Sequence, residues 1–323
     1  MSSAEVVARL RSELTGQVRT DMSLAPFTTY RLGGPAAVYV EPNNIDDVEA
    51  FGRVLHDVAP ELPVLALGRG SNLVISDRGW EGVVIRFGSA FSWLAEESDG
   101  ESSLRSGAAT PMPLLANWAA RRGLSGLEFA IAIPGSVGGA IRMNAGAHGR
   151  ETGDALVSAR LFDLDSLAVV EKKVSDFDYS YRHSNVTDRQ LAVDARWHLD
   201  EEEPGAVRDR MEEYRRHRAA TQPGAVQNAG SVFKNPPGDS AGRLVEAAGL
   251  KGWRIGGAYV STLHANFFIA EEGSTSQDVY DLVHSVRARV NEQFGIELEP
   301  EIRFAGSYDR PPSVADLPSE DGG

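Results

Sequence analysis

Residues 130–149 read AIAIPGSVGGAIRMNAGAHG, and this glycine-rich stretch decides how the rest of the chain is interpreted. It contains no acidic residue, and an apolar run leads directly into the turn at Pro134 and Gly135. Because glycine lacks a Cβ atom and accepts positive φ, such a segment can bring bare backbone against a flat or phosphorylated group. The stretch therefore predicts one wall of a cofactor site, with an ordinary buried turn as the alternative.

The composition is that of a globular protein with more than one core, at 323 residues, 42% hydrophobic and 24% charged. Its apolar runs stay short of the roughly 18 residues that span a bilayer, and no secretory core follows a basic head. We therefore expect a cytoplasmic protein without membrane insertion. The formal net charge of −14 disfavours nucleic-acid binding, and the lack of cysteine excludes disulfides, thiolate metal sites and cysteine nucleophiles.

Hydrophobic periodicity predicts alternating helices and strands along the whole chain. The predicted helices are residues 4–14, 45–58, 111–122, 204–220, 241–248 and 277–294. The predicted strands are residues 37–40, 62–67, 82–87, 156–162, 168–170, 191–197, 266–270 and 298–304. The basic stretch from Arg208 to Arg218 alternates with Glu212 and Glu213, which favours a solvated helix face over an anion site.

A second glycine-containing loop follows the strand at residues 62–67 and reads Gly68-Arg69-Gly70-Ser71-Asn72-Leu73. Such a loop can direct backbone N–H groups and short polar side chains at an anion such as a pyrophosphate. It lacks the glycine spacing of the dinucleotide-binding fingerprint, and a strand rather than a helix follows it. A plain hairpin loop is the alternative.

Two polar clusters lie further along the chain. Residues 178–184, DYSYRHS, place two phenols, a guanidinium and an imidazole between strands, where Arg182 suits bidentate carboxylate binding or a structural salt bridge to an aspartate. Residues 228–237, NAGSVFKNPP, bring Ser231, Lys234 and Asn235 together in a small-residue turn. Hydroxyl, ammonium and amide donors of this kind can hold phosphates and carbonyls, although an ordinary polar loop has the same composition.

In order and wording, these motifs together resemble the UDP-N-acetylenolpyruvoylglucosamine reductase (MurB) family over residues 22–305. The segments that carry the resemblance are TTYRLGGP at 28–35, GRGSN at 68–72, IPGSVGG at 133–139, MNAG at 143–146, YR at 181–182, GSVFKNP at 230–236 and LEPE at 298–301. The first four are similar to the family's FAD-binding half, and the last three to its catalytic half.

The resemblance implies an α+β fold of the p-cresol methylhydroxylase type, with two FAD-binding subdomains and a C-terminal α+β substrate-binding domain. The expected divisions are an N-terminal helix at 1–20, FAD-binding subdomains at 21–90 and 91–205, a substrate-binding domain at 206–305 and a disordered tail at 306–323. Non-covalent FAD is the implied cofactor, NADPH the implied co-substrate, and no metal is expected. We also expect a monomer.

The implied reaction is the NADPH-dependent reduction of UDP-N-acetylglucosamine enolpyruvate to UDP-N-acetylmuramate in peptidoglycan synthesis. By resemblance, Arg182 and Glu301 stabilise the negative charge that develops on the substrate carboxylate, with Glu301 acting in its protonated form. Ser231 donates the proton to the α-carbon. Substrate contacts are expected from Tyr181, Lys234 and Asn235. FAD contacts are expected from Tyr30, Gly68, Arg69, Gly70, Ser71, Asn72, Leu73, Ile133, Pro134, Gly135, Ser136, Gly138, Gly139, Asn144 and Gly146.

The sequence departs from the family pattern at two places. His148 stands where the family commonly has tyrosine, and because some relatives with this flavin fold attach FAD through histidine, an oxidase of the same fold acting on another sugar or alcohol is the alternative function. The short stretch between Arg182 and Ser231 resembles the family form without an extra substrate-covering loop. A non-enzymatic nucleotide-binding protein is a third interpretation, which the joint presence of Arg182, Ser231 and Glu301 disfavours.

Overall fold

A computed structural model describes residues 3–97, 103–224 and 226–311. Its α-helices are α1 (Ser3–Glu13), α2 (Ile45–Val58), α3 (Met112–Ala120), α4 (Val137–Met143), α5 (Pro204–Thr221), α6 (Ala241–Ala247) and α7 (Ser276–Phe294). Its strands are β1 (Gln17–Ser23), β2 (Pro35–Glu41), β3 (Val64–Ala66), β4 (Leu73–Ile75), β5 (Trp80–Ile85), β6 (Leu94–Glu96), β7 (Ser103–Gly107), β8 (Leu124–Ser125), β9 (Gly146–Ala147), β10 (Arg150–Glu151), β11 (Leu156–Asp163), β12 (Ala168–Lys173), β13 (Gln190–His198), β14 (Asp200–Glu201), β15 (Arg254–Ile255), β16 (Ala258–Val260), β17 (Phe268–Ala270) and β18 (Arg303–Ala305).

The chain divides into two compact units. Unit 1 comprises Met1–Met22, Ala36–Arg69 and Glu81–Arg218, and unit 2 comprises Ser23–Pro35, Gly70–Trp80 and Ala219–Gly323. Each unit therefore draws on segments that are far apart in the sequence. The boundary between Arg69 and Gly70 falls inside the predicted phosphate loop, so its two halves belong to different units.

Unit 1 is built on two main sheets. One has the strand order β1-β2-β5-β3, in which β3 and β5 run parallel with Val64 opposite Val83. The other is antiparallel, with the order β12-β11-β13-β7-β6. Helix α2 begins after Asn44, whose side chain accepts a hydrogen bond from the amide of Asp47 at 2.8 Å. This cap satisfies a backbone donor that a helix start otherwise leaves unpaired.

The N-terminal helix packs into unit 1. Its apolar residues Val6, Val7 and Leu10 are buried in the same core as the apolar face of α2. Beyond the helix, the amide of Thr15 donates to the carboxylate of Asp47 at 2.8 Å. Helix α1 is thus fixed both by apolar burial and by a hydrogen bond to the first turn of α2.

Unit 2 has one core, which α6 and α7 form with the antiparallel sheet β15-β16-β17. A separate pair of strands, β4 and β18, runs parallel with Leu73 opposite Arg303. Helix α7 begins at a capping box in which Thr275 and Asp278 each accept the other's backbone N–H.

Most predicted helices agree with the structure to within two residues at either end, and α2 has the predicted bounds. The predicted strand at 298–304 is wrong in its first half: only Arg303–Ala305 is a strand, since Pro300 has no N–H for a ladder and makes a single bridge to Phe233. The hairpin alternative for the loop at 68–73 is also wrong, because β3 and β4 belong to different sheets.

The chain remains in contact with unit 2 just beyond residue 305, where the sequence predicted a disordered tail. Ser76 donates to the carbonyl oxygen of Ser307 at 2.6 Å, and the hydroxyl of Tyr308 donates to that of Val74 at 2.8 Å. The ring of Tyr308 also stacks on Tyr280 of α7. The rest of the predicted tail, residues 312–323, lies outside the described residues.

Candidate active site

A pocket in unit 1 brings together parts of two predicted cofactor loops. Gly68, which follows β3, lines it together with Ser136, Gly138 and Gly139 around the start of α4. The remaining lining residues are mostly apolar: Ala66, Leu67, Ile85, Phe87, Ala108, Ala109, Arg142, Val186, Gln190, Leu191 and Ala192. An apolar pocket with a few polar side chains is the usual form of a cofactor site.

Two glycines of this pocket lie close to neighbouring side chains. A Cβ atom on Gly68 would lie 2.6 Å from Oγ of Ser136, and one on Gly138 would lie 3.2 Å from Cβ of Ala108. A Cβ atom at Gly68 would therefore require the Ser136 side chain of the other loop to move, and one at Gly138 would press on the segment that follows β7. The pocket therefore has the bare-backbone walls that an extended dinucleotide such as FAD requires, and the residues present fit this cofactor.

Two predicted FAD residues of unit 2, Tyr30 and Asn72, have hydrogen-bond partners within that unit. Tyr30 is fully buried, and its hydroxyl donates to the carbonyl oxygen of Phe268 at 3.0 Å. Burial raises the pKa of Tyr30, which keeps the phenol protonated as a donor. The Nδ2 atom of Asn72 donates to the carbonyl oxygen of Glu301 at 3.0 Å. Gly70 has a φ of +59°, and a Cβ there would lie 2.3 Å from the carbonyl oxygen of Phe27.

Arg182 lies in a tight turn in unit 1. The backbones of Ser180 and His183 exchange two hydrogen bonds, so Tyr181 and Arg182 occupy the two central positions. Arg182 has a φ of +55°, a left-handed conformation that side chains other than glycine and asparagine rarely adopt. Strain of this kind at a polar loop residue is often associated with function.

The guanidinium of Arg182 is held by the short hairpin of β9 and β10. Its Nη2 donates to the carbonyl oxygen of Gly146 at 2.9 Å, and its Nη1 lies 3.9 Å from Oε1 of Glu151. The side chain is only 18% exposed, whereas Tyr181 beside it is 45% exposed. One carboxylate near Arg182 thus belongs to Glu151 of the hairpin, whereas the sequence suggested an aspartate.

Ser231 and Glu301 lie on neighbouring backbone segments of unit 2. Ser231 forms a β-bridge with Phe267, and the amide of Glu301 donates to the carbonyl oxygen of Val232 at 2.7 Å. Both residues are half-buried. The segment is fixed by the buried side chain of Asn266, whose Oδ1 accepts from the amide of Phe233 at 2.9 Å and whose Nδ2 donates to the carbonyl oxygen of Phe233 at 2.8 Å.

The two predicted substrate-binding residues of unit 2 continue the same segment. The Nζ atom of Lys234 lies 2.7 Å from Oε1 of Glu299 in an ion pair. Asn235 is exposed, and its Oδ1 accepts a hydrogen bond from the amide of Ala241 at the start of α6, at 3.0 Å. Any anion that Lys234 binds must therefore share it with Glu299 or displace that carboxylate.

His148 lies at the tip of the hairpin of β9 and β10 and packs on α5. Its ring stacks on that of Tyr214, with centroids 4.0 Å apart and planes 5° from parallel, and makes an edge contact with His217. Burial and the neighbouring His217 lower the pKa of His148 below its ordinary value. In the structure, this side chain has aromatic partners on the helix.

Two polar residues of the pocket were not among those predicted from the sequence. Arg142 and Gln190 both line it, and Arg142 is fixed by hydrogen bonds to the carbonyl oxygen of Thr187 at 2.7 Å and to Asp188 at 2.8 Å. Arg142 stands between the segments at 133–139 and 143–146, so its position among cofactor motifs was an available signal. Gln190 gave no such signal, because it begins an ordinary strand.

The basic stretch of α5 is solvated along most of its length, but Arg210 and Arg218 turn inward. Arg210 pairs with Glu128 at 2.7 Å, and Arg218 donates to the carbonyl oxygen of Ala132. No helix within residues 3–97, 103–224 and 226–311 is long and apolar enough to cross a membrane. Across the same residues, no group of histidine and acidic side chains has the arrangement of a metal site.

Comparison with known proteins identifies the family. Residues 222–305 match the model described as UDP-N-acetylenolpyruvoylglucosamine reductase, C-terminal domain, and residues 36–169 match the model described as FAD binding domain. UDP-N-acetylenolpyruvoylglucosamine reductase of Caulobacter vibrioides is 41% identical over 293 residues, which cover 90% of this chain and 95% of the relative. The chain belongs to the UDP-N-acetylenolpyruvoylglucosamine reductase family.

Other members of the family agree with this assignment. The reductase of Rhodopseudomonas palustris is 41% identical over 309 residues, covering 95% of this chain and 98% of the relative. Among solved structures, the crystal structure of MurB from Thermus caldophilus matches with a TM-score of 0.76 at 34% identity, covering 91% of this chain and all of the other. The predicted family is confirmed, as is the α+β fold with an FAD-binding part and a C-terminal domain.

Proposed function

We propose that this protein is an oxidoreductase that uses FAD and NADPH to reduce UDP-N-acetylglucosamine enolpyruvate to UDP-N-acetylmuramate, a step of peptidoglycan precursor synthesis. Membership of the UDP-N-acetylenolpyruvoylglucosamine reductase family over at least nine-tenths of the chain carries this proposal. The pocket of unit 1 supports it as well, since the glycines that line it lie in the part of the chain that matches an FAD binding domain.

The cofactor would be held by the residues of this pocket. FAD, when bound, supplies the group that takes hydride from NADPH and delivers it to the substrate. Gly68, Ser136, Gly138 and Gly139 would form its walls, and Arg69 would hold the two loops together through its bond to Pro134. The other proposed contacts are Tyr30, Gly70, Ser71, Asn72, Leu73, Ile133, Pro134, Gly135 and Gly146.

Arg182 would bind the substrate carboxylate. Reduction of the enol ether places negative charge on the α-carbon and the adjoining carboxylate, and a donor that strengthens with charge lowers the energy of that state. The guanidinium suits this task because its side chain is 18% exposed and already oriented by Gly146. Glu301 would assist in its protonated form, since an ionised carboxylate would repel the developing charge.

Ser231 would donate the proton that the α-carbon requires. A hydroxyl is a weak acid in water, but the enolate-like carbanion is a strong base, so a fixed serine can serve. The double hydrogen bond from Asn266 to the backbone of Phe233 supports this role, because it fixes the segment that carries the hydroxyl. Tyr181, Lys234 and Asn235 would contact the rest of the substrate, with Lys234 acting as a point charge for phosphate.

An absorbance experiment tests the proposal. The purified protein should carry a flavin spectrum, NADPH should bleach it anaerobically, and UDP-N-acetylglucosamine enolpyruvate should restore it. A Ser231→Ala variant should still be bleached by NADPH but should recover far more slowly with the substrate. A colourless protein that takes up no FAD would contradict the proposal, as would a reduced flavin that the enolpyruvate cannot reoxidise.

Two further features belong to the proposal. We place the protein in the cytoplasm. We also propose that it is a monomer, and size-exclusion chromatography with light scattering would test this oligomeric state. The oxidase alternative loses its support, because His148, the residue that suggested it, stacks on Tyr214 and has the surroundings of a packing residue. Rapid reoxidation of the reduced flavin by oxygen, with no reoxidation by the enolpyruvate substrate, would support the oxidase instead.

A further inference from the structure

The loop that carries Arg182 is fastened to the C-terminal end of α4. The hydroxyl of Tyr179 donates to the carbonyl oxygen of Ile141 at 2.9 Å, and Ser184 donates to that of Arg142. Between these two anchors, Nδ2 of Asn144 donates to the carbonyl oxygen of Ser180 at 3.1 Å. The turn around Arg182 is therefore held on both sides and at its base by residues 141–144.

The side chain of Asn144 bonds to three different residues around this turn. Asn144 ends α4 in a left-handed conformation, with a φ of +43°, and is 2% exposed. Besides its bond to Ser180, its Nδ2 donates to Oε2 of Glu151 at 2.7 Å, and its Oδ1 accepts from the amide of Gly153 at 3.0 Å. A carboxamide has two N–H donors and one oxygen, so both donors of Asn144 are used inside the protein.

The same carboxylate that binds Asn144 faces Arg182. Oε2 of Glu151 accepts from Asn144, while its Oε1 lies 3.9 Å from Nη1 of Arg182. Asn144 thus fixes the guanidinium by two routes: the backbone of the turn through Ser180, and the carboxylate beside it through Glu151. A donor to developing charge must be held at one place before the reaction, because misplacement by about 1 Å can cost a factor of about a hundred in rate.

We propose that Asn144 is a positioning residue for Arg182, acting through Ser180 and Glu151. The sequence placed Asn144 among the FAD contacts, whereas the geometry points to this second task. The inference rests on the proposed function, since it assigns Arg182 to the substrate carboxylate. It predicts that loss of the Asn144 side chain impairs the step that needs Arg182 and spares the binding of FAD.

Asn144→Gly is the most direct test, because glycine accepts the left-handed conformation without the side chain. Three quantities are measured: the FAD dissociation constant of the apoprotein, the rate of flavin reduction by NADPH, and the rate of reoxidation by UDP-N-acetylglucosamine enolpyruvate. The first two should stay within about twofold of wild type. Reoxidation should slow by about 10- to 100-fold, the range expected when a charge-bearing hydrogen-bond network is broken.

Variants of Glu151 separate the two routes. Glu151→Gln keeps an acceptor for Asn144 and should slow reoxidation by less than about fivefold, because a long ion pair contributes little. Glu151→Ala removes both the acceptor and the carboxylate, and should slow it more than Glu151→Gln does. The matched control is Asn44→Ala, which removes a side-chain cap from α2 and should lower thermal stability without changing either half-reaction.

The outcomes are distinguishable. Weaker FAD binding by Asn144→Gly, with reoxidation of the loaded enzyme at the wild-type rate, would overturn the inference in favour of a cofactor contact. Equal slowing of both half-reactions would make Asn144 merely structural and would overturn it too. If the enolpyruvate cannot reoxidise the wild-type enzyme, the proposed function fails and the inference fails with it.

Discussion

Arg69 donates its Nε–H to the carbonyl oxygen of Pro134 at 2.9 Å. The bond joins the loop after β3 to the turn before α4, two segments of unit 1 that lie 65 positions apart in the sequence. The two segments that this bond joins supply Gly68 on one side and Gly138 and Gly139 on the other to the lining of the pocket. Arg69 therefore acts on the spacing of those two segments.

Replacing Arg69 with alanine should weaken FAD binding. Loss of one hydrogen bond from a charged donor is expected to cost about 1 kcal/mol, which corresponds to about a fivefold higher dissociation constant. Reconstitution of the apoprotein with FAD, followed by flavin fluorescence, measures this directly. Arg216→Ala, which removes an exposed arginine that donates to the carbonyl oxygen of Glu212 in its own helix, serves as the control. Unchanged FAD affinity in Arg69→Ala would contradict a role for this bond in shaping the pocket.

Gly68→Ala should disturb the pocket, and a second substitution should repair it. The new methyl group would lie 2.6 Å from Oγ of Ser136 but 3.8 Å from its Cβ. Adding Ser136→Ala removes the clashing oxygen, so the double variant should bind FAD more tightly than Gly68→Ala alone. The coupling energy from the four-member cycle should be about 1 kcal/mol or more, as for residues in direct contact. Strictly additive changes in the free energy of FAD binding would show that residue 68 and the side chain of Ser136 are not in contact.

Arg182→Gly and Arg182→Ala should both lose reoxidation by the substrate, yet differ in stability. Both remove the guanidinium, but only glycine accepts the φ of +55° at this position without strain. Thermal or urea unfolding should therefore find the glycine variant more stable than the alanine variant by about 1 kcal/mol. Equal stabilities would mean that the turn relaxes once the arginine is gone.

The buried carboxylate of Glu128 should make the stability of unit 1 depend on pH. Burial raises the pKa of Glu128, but hydrogen bonds from Arg210, the Gly126 amide and Ser125 outweigh it, so the pKa lies below the ordinary 4.5. A lowered pKa stabilises the folded protein above about pH 4.5 and ceases to do so as the pH falls through the folded value. Glu128→Gln should thus be less stable than wild type by about 2 kcal/mol at neutral pH.

Melting temperatures of the two proteins measured across the acid range check this prediction. The gap between wild type and Glu128→Gln should narrow as the pH falls below about 4.5, because the unfolded state then takes up the proton first. It should be smallest below the lowered folded-state pKa, where the carboxylate is protonated in both states. A difference in melting temperature that stays constant down to the lowest pH measured would contradict the ionic origin of the stabilisation.

His148→Tyr should leave the flavin bound. The ring of His148 stacks on Tyr214 at 4.0 Å, and a tyrosine ring can occupy the same position. Acid precipitation of the wild-type protein should release all its flavin into the supernatant, as expected of a non-covalent cofactor, and the variant should be yellow with a similar FAD affinity. Flavin that stays with the wild-type pellet but leaves the His148→Tyr pellet would instead identify a covalent bond through His148.

Much of the fold could be predicted from local sequence. Helix α2 was placed correctly because its apolar periodicity and the Asn44 cap are both local signals. Strand β18 could not be bounded in this way, since its partner β4 lies about 230 residues earlier in the chain and Pro300 interrupts the run before it. The assignment of β3 and β4 to different sheets has the same cause: periodicity indicates a strand but not its neighbour.

The site was predicted less completely. The glycine-rich segments indicated part of the pocket lining, since Gly68, Gly138 and Gly139 all line the pocket. The direction of a side chain is not encoded locally, however. Asn144 lies in a cofactor motif, but its partner carbonyl on Ser180 is 36 positions away, so no pattern around Asn144 reveals that contact.

Helix α4 is seven residues long, about 10 Å at the usual rise per residue, and each of its ends contributes to a different part of the candidate site. Its first turn forms part of the pocket wall, and its last carbonyls hold the turn of Arg182. Inserting or deleting one residue would rotate one end against the other by about 100° and shift it by about 1.5 Å. The length of this helix is therefore constrained in addition to the identity of its residues. Evolutionary insertions and deletions in the family should therefore fall outside residues 136–144.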